Sequence, residues 1–244
     1  MSEAGGFRIA VPLDGPLVES RFVERPNRFL LRCDVPGEAD VQEVHLPDPG
    51  RLRELLLPGA RVWVRPADAS GRRTRWTAVL VEDPEGRGVI SLRTTLPNAL
   101  IRRALEARGL DELRGWTLER AEWPLGRSRI DFLLRDERGR GMALEVKSVT
   151  LVEGGIARFP DAVTARGARH VRELAELAQE GTMDAGILFV LQRDDARAIE
   201  AARSIDPDFA DALALARAAG VRVLGRRCRV TLDEVILGDP VPVL

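Results

Sequence analysis

The sequence predicts an α+β and α/β two-domain protein, an N-terminal OB-like β-barrel followed by a C-terminal α/β domain. Three observations carry this. Residues 7–92 fall into short strand-like stretches separated by Pro and Gly turn signals. After Pro97 the texture changes to helical periodicity alternating with strands. Within that second half, Ala185–Gln192 (AGILFVLQ) is an unbroken apolar run, the mark of a strand buried on both faces.

The first half offers strands at 17–23, 28–35, 41–46, 60–66, 75–82 and 88–93. They are punctuated by Pro36-Gly37, Pro47-Asp48-Pro49-Gly50, Pro58-Gly59 and Pro84-Glu85-Gly86. A small helix is expected over Arg51–Leu57. Five or so short strands with one inserted helix suggest a Greek-key barrel of the OB type.

In the second half a helix is expected at 98–108, with Asn98 as N-cap and Gly109 as its stop. Strands follow at 116–123, 129–135 and 141–148, then a helix at about 162–180. That helix carries Val163, Gly167, Val171, Leu174 and Ala178 on one face. The strand at 185–192, a helix at 207–219 and strands at 221–226 and near 229–236 close the chain. The boundary falls between residues 85 and 97, giving domains of 1–90 and 91–244.

Composition excludes several classes. A charged fraction of 31% and a hydrophobic fraction of 45% are those of a soluble globular protein. No apolar run approaches the ~20 residues that span a bilayer, so no membrane role is expected. The opening MSEAGGFRIAVPLDG lacks a basic start and apolar core, which argues against a signal peptide. Cys33 and Cys228 have no metal-type spacing and fit a reducing cytoplasm. With His45 and His170 as the two histidines, a Cys/His zinc site cannot be assembled. The net charge of −1 gives no global signature of nucleic-acid binding, so such a partner would need a local basic groove.

One fact of composition is unusually informative. All but one of the 37 basic residues are Arg; the exception is Lys147. Arg supplies a permanent cation, whereas the Lys ammonium is compact and can give up a proton. Lys147 sits two residues after Glu145 in an apolar strand. In 141–147, Ala143, Glu145 and Lys147 share a face; in 129–135, Arg129, Asp131 and Leu133 share one. Five turn-type residues, Asp136 to Arg140, join the two strands. A symmetric closure puts Asp131 across from Glu145, with Cα atoms about 4.5–5.5 Å apart.

Facing carboxylates repel unless a cation sits between them or one takes a proton. Oxygen ligands without nearby Cys or His suit a hard divalent ion, Mg2+ or Mn2+. Such an ion activates water and neutralises phosphate charge. Lys147 could orient the attacking water or stabilise developing charge, and Glu122 on the preceding strand could add a carboxylate. The same Asp…Glu-x-Lys pattern also arises as an ordinary strand salt bridge; on the metal reading the chemistry is in-line hydrolysis of a phosphodiester, with Lys147, Glu145, Asp131 and Glu122 as catalytic residues.

Longer motifs surround these residues. Gly126-x-Ser128-Arg129-x-Asp131-Phe132, Glu145-Val146-Lys147-Ser148-Val149-Thr150-Leu151 and Phe159-Pro160-Asp161-Ala162-Val163-Thr164-x-Arg166-Gly167-x-x-His170 are similar to those of the sugar fermentation stimulation protein A family. In the first half Arg28-Phe29-Leu30, His45-Leu46-Pro47, Gly50 and Pro97-Asn98 extend the resemblance. It implies DNA binding, an OB-like first domain and a PD-(D/E)xK nuclease-like second domain with a mixed central sheet. By position it implies Asp131 and Glu145 as metal-binding acids, with the Val146 backbone carbonyl beside them, and Lys147 as the catalytic lysine. The family tends to show Asn-Thr where this chain has Asp48-Pro49, and again where it has Arg93-Thr94.

Other residues carry two readings each. Asp161 reads as the N-cap of the following helix or as a group reaching the metal. Arg166 and His170, one helical turn apart, could touch phosphate, or His170 could be a satisfied group at the edge of the core. Arg127 and Arg129 flank Asp131; Arg129 could bind phosphate or pair with Glu122. Arg72, Arg73 and Arg75 occupy a hairpin loop near Trp63 and Trp76, as in an OB barrel that grips nucleic acid; with an aromatic content of 5%, a solvated Arg loop over core tryptophans is the plainer reading. The expected partner is single- or double-stranded DNA, with a homodimer left open. The alternatives are a catalytically silent DNA-binding transcriptional regulator and a hydrolase of RNA or a nucleotide.

Overall fold

The structure is a computed structural model, and it describes residues 8–67, 73–125 and 128–244. Alternating burial in the first half closes a barrel. Strands β2 (Val18–Asn27), β3 (Leu30–Asp34), β4 (Gln42–His45), β5 (Arg61–Pro66) and β6 (Trp76–Glu82) lie in the order β4-β3-β2-β5-β6. A parallel pairing of Val44 with Trp76 and His45 with Thr77 joins β4 to β6 and completes the circle. Phe22, Leu31, Cys33, Val44, Val62, Val64, Ala78 and Val81 fill the interior. A short β7 (Val89–Ser91) extends β6 at its outer edge.

Arg51–Leu57 is not helical. Leu52 takes a left-handed φ of +48°, which interrupts the helical path, and the segment forms a turn. Leu52, Leu55 and Leu56 mimic helical spacing because all three plug the barrel.

The second domain is built on a seven-stranded mixed sheet. Its strands are β1 (Ala10–Pro12), β8 (Trp116–Leu125), β9 (Ser128–Asp136), β10 (Gly141–Val149), β13 (Asp184–Leu191), β15 (Arg222–Val230) and β16 (Glu234–Pro240), in the order β1-β16-β15-β13-β10-β9-β8. The central trio β10, β13 and β15 is parallel and its flanks are antiparallel. Burial on both faces explains the apolar run in β13. Helices α2 (Ala165–Glu180) and α3 (Pro207–Ala218) pack on one face through Val171, Leu174, Phe209 and Leu213. Helix α1 (Leu96–Glu106) covers the other, where Leu100 and Ile101 join Leu134, Leu144 and the barrel's Trp63 and Leu80 in one cluster. Trp63 is therefore core.

Three differences from expectation stand out. β1 belongs to the large sheet, pairing Ala10 with Ile236 and Val11 with Val235, so the first strand of the chain lies outside the barrel. A second small sheet, β11 (Val152–Glu153), β12 (Ile156–Phe159) and β14 (Ala198–Ala201), has strands too short to stand out by periodicity. The single strand expected near 229–236 is instead the end of β15, a turn at 231–233 and the start of β16. Among the described residues no helix is long and apolar enough to cross a membrane.

Candidate active site

Register sets the site. β9 and β10 pair Arg135 with Gly141, Leu134 with Met142, Leu133 with Ala143 and Phe132 with Leu144. One step further would pair Asp131 with Glu145, and there the backbone ladder ends. The Asp131 side chain takes over: Oδ2 accepts the Val146 N–H at 2.7 Å, and Oδ1 accepts a bond from Asn98 Nδ2 at 2.6 Å.

Glu145 is 4% exposed. Its Oε1 accepts from Lys147 Nζ at 2.7 Å and lies 2.8 Å from His170 Nδ1. An ionised carboxylate has no proton to give, so the imidazole is the donor. Glu145 Oε2 is equally buried and has no hydrogen-bond partner among the described residues. Burial pushes the Glu145 carboxyl up, but the His170 bond and the Lys147 cation outweigh it and hold the group below its usual value. Asp131 goes the other way, pushed up to about 6 by burial and then by the Glu145 charge, against the Val146, Asn98 and Lys147 contacts. Two adjacent carboxylates whose environments drive their proton affinities apart are the pattern of a functional site.

Asp131, Glu145, Glu122, Arg129, Arg166 and His170 line one cavity of about 580 Å³. Lys147, Ser148 and Arg166 line an adjoining cleft of about 640 Å³ between barrel and sheet. Arg166 faces both.

The other expected residues are placed unevenly. Glu122 stands at the rim with an exposed side chain, a left-handed φ of +54° and an ion pair to Arg129 at 3.5 Å. Among the described residues, no three His, Cys, Asp or Glu side chains gather closely enough to hold a metal, so Glu122 does not join Asp131 and Glu145 in a three-carboxylate cluster. His170 is buried against Glu145 rather than presented to solvent. Asp161 is not a helix cap. That role falls to Thr164, whose Oγ1 accepts the Gly167 N–H at 3.0 Å, while Asp161 Oδ2 accepts the Arg51 N–H at 2.7 Å across the domain junction. Arg73 and Arg75 lie on the β5–β6 hairpin, highly exposed and facing Glu43 and Glu38. Neither lines the two cavities at the acids. Arg72 and Arg127 fall outside the described residues.

Two participants escaped the sequence reading. Asn98 is inside α1, behind Thr95 at the N-cap, and its side chain is committed to Asp131. Gln192 is fully buried and donates to Ser148 Oγ at 3.0 Å and to the Arg93 carbonyl at 3.2 Å. The signal for Asn98 was its place in the Pro97-Asn98 motif; for Gln192, a polar residue ending an apolar strand.

The donor set fits a hard cation. Two carboxylates, one with a buried orphaned oxygen, are what Mg2+ needs when water and phosphate complete its shell.

Comparison with known proteins gives the chain its relatives. A family model for the sugar fermentation stimulation protein RE domain matches residues 95–234, and one for the SfsA N-terminal OB domain matches residues 23–91. The sugar fermentation stimulation protein homolog of Shouchella clausii is 44% identical over 229 residues, 94% of this chain and 98% of that protein. The homolog of Moorella thermoacetica is 43% identical over 234 residues, 96% of this chain and 99% of that protein. Among solved structures, SfsA of Pyrococcus furiosus in complex with Ca2+ superposes with a TM-score of 0.85 at 28% identity, covering 98% of this chain and 99% of that one. Both domains, and nearly the full length, are accounted for: the chain belongs to the sugar fermentation stimulation protein family.

Proposed function

We propose that this protein is a Mg2+- or Mn2+-dependent nuclease-type phosphodiester hydrolase acting on DNA, with its chemistry at Asp131, Glu145 and Lys147. The observation that carries this reading is the buried, partnerless Glu145 Oε2 beside an Asp131 whose proton affinity is raised. Such an arrangement is costly for folding alone, and a divalent cation held by the two carboxylates would offset that cost.

Asp131 and Glu145 are the ligands, with the Val146 carbonyl as a third. In an extended strand a residue's N–H and C=O project to the same edge. The Val146 N–H points to Asp131, so its carbonyl faces that side too. A bound divalent ion would supply charge neutralisation for the scissile phosphate and a more acidic water. Lys147, 13% exposed in its side chain and held by Glu145, is set to stabilise negative charge developing on the phosphate oxygens. His170 and Asn98 fix the two carboxylates. Glu122 and Arg129 stand at the cavity mouth, and Arg166 is placed to meet the DNA backbone. A relative's complex with Ca2+, an ion of the same oxygen preference, supports the cation class.

The test is cleavage of single- and double-stranded DNA in Mg2+ or Mn2+, with RNA and a cyclic dinucleotide alongside. Cleavage should fall by at least 10²-fold in Lys147→Ala and in Glu145→Ala. Cleavage that survives both changes would remove the assignment. Salt-sensitive DNA binding without turnover in any metal would replace it with a silent binder.

A further inference from the structure

Eight large apolar side chains are exposed among the described residues, and two of them face the same cleft. Phe29 is 45% exposed at the β2–β3 turn, the first hairpin of the barrel; Val163 is 68% exposed in the loop entering α2, on the other domain. Both line the cleft that Val146, Lys147 and Ser148 floor. Neither belongs to a core, and an exposed ring costs water contact without a folding return.

Both are held in place. The Phe29 N–H is bonded to Asn27 Oδ1 at 2.9 Å and its carbonyl accepts the Leu46 N–H at 2.9 Å. Arg25 donates to the Arg28 carbonyl at 2.9 Å and to the Gly50 carbonyl at 2.7 Å, tying the hairpin to the neighbouring loop. The Arg28 guanidinium stands 4.9 Å from the Phe29 ring centroid. Across the cleft, the Thr164 N–H is fixed by Asp206 Oδ2 at 2.7 Å.

A half-exposed ring with the Arg28 guanidinium over one face, and with Lys147 and Arg166 lining the same cleft, matches one kind of ligand: flat π surfaces strung on a phosphate backbone. OB barrels use their first hairpin loop and stacked aromatics for that purpose. A duplex keeps its base faces stacked inside and offers edges in its grooves. An unpaired strand offers the faces.

We propose that the cleft takes a single-stranded segment of DNA, one base seated between Phe29 and Val163 while its phosphates run past Arg28 and Arg166 toward Lys147. This deepens the proposed function and rests on its reading of the site as one that acts on DNA.

The experiment is fluorescence anisotropy with a labelled oligonucleotide, single-stranded and as blunt duplex, in EDTA so that cleavage plays no part. The single strand should bind several-fold tighter. Phe29→Ala should weaken single-strand binding roughly tenfold and leave duplex binding unchanged, within the range for loss of one stacked base. Phe29→Trp should retain wild-type affinity, and Val163→Ser should lose a smaller factor. Both side chains are exposed, so unchanged melting temperatures are expected. A duplex preference, or a Phe29→Ala protein with unaltered single-strand affinity, overturns the proposal. The two readings fail separately. Phe29-dependent strand binding without cleavage in any metal leaves the slot and removes the nuclease; Lys147-dependent cleavage indifferent to Phe29 does the reverse.

Discussion

The Asp131 carboxylate takes its hydrogen bond from the backbone N–H of Val146, the residue between Glu145 and Lys147. A side chain thus replaces a rung of the β9–β10 ladder at the point where the strands part. The parting keeps a carboxylate in the space between the strands, and the lost rung is repaid by the new bond, so no buried donor is stranded. The position of Asp131 is set by two contacts, this N–H and Asn98, and both favour its charged form against burial and the Glu145 charge.

Asn98 is therefore a positioning residue. Asn98→Ala should weaken divalent-cation binding by about 10–100-fold, the usual effect of removing a group that orients a ligand. Calorimetric titration with Ca2+ or Mn2+ measures it. Asn98→Asp, which places a third negative charge against Asp131, should not behave like alanine: it should bind the ion at least as well above pH 7. Equal affinities for wild type and Asn98→Ala would show that the Val146 bond suffices.

Arg166 is exposed, faces both cavities and forms no ion pair among the described residues. If it meets phosphate, Arg166→Ala should weaken DNA binding for every sequence alike. The slope of log affinity against log salt should fall by about 1. An unchanged slope would exclude a direct phosphate contact.

Asp48 is 7% exposed in the loop tied to Arg25, and its carboxyl is pushed up from 3.8 to about 6, by burial first and by Asp161 in part, against the Gly50 N–H and Arg25. The sign follows from the folded value lying above the unfolded one. The folded state holds the extra proton between those values, so this group's contribution to stability improves as pH falls from above 6 to below 4. At pH 8 keeping it charged costs on the order of 3 kcal/mol. Asp48→Asn, which preserves the acceptor for Gly50, should raise stability at pH 8 and leave it nearly unchanged at pH 4. Urea titrations at the two pH values make the comparison.

The domains are clamped by Arg193, whose side chain is 4% exposed. It reaches Asp83 of the barrel at 3.2 Å, Asp195 at 2.5 Å and the Thr150 carbonyl at 3.2 Å. Arg193→Ala removes one of two Arg partners of the buried Asp83, which keeps the Arg87 Nε contact at 2.7 Å, and should cost about 1.5–3 kcal/mol. For a chain of this size the melting temperature should drop by about 6 °C. Thermal unfolding followed by circular dichroism checks it.

Much of the site could be read from the chain because it depends on short-range regularities. Period-two alternation and a five-residue turn bring Asp131 and Glu145 to adjoining positions, and a lone Lys among arginines flags position 147. The supports could not be read the same way. Asn98 and Asp131 are separated by 33 residues and meet through the docking of α1 on the sheet. Val163 fits the helical stripe by spacing, yet Thr164 starts the helix and leaves it outside. Arg51–Leu57 has helical spacing because a turn that plugs a barrel needs the same close-set leucines. Asp161 has the spacing of a helix cap, yet its partner, the Arg51 N–H, is 110 residues away. In each case a local pattern was overruled by a distant surface.

The pairing of β1 with β16 changes how the barrel should be pictured. The chain leaves the large sheet after Pro12, builds the barrel, and returns at α1. The barrel is fastened at both ends, as a handle is to a cup, rather than hung from one linker. Swinging it aside requires two crossings to yield together, so the strand of the proposed slot would have to enter the gap above Lys147 endwise or in a bulge. A fragment cut at residue 91 would also bare the Glu234–Leu237 edge of β16, an unprotected strand edge that invites other chains to pair with it.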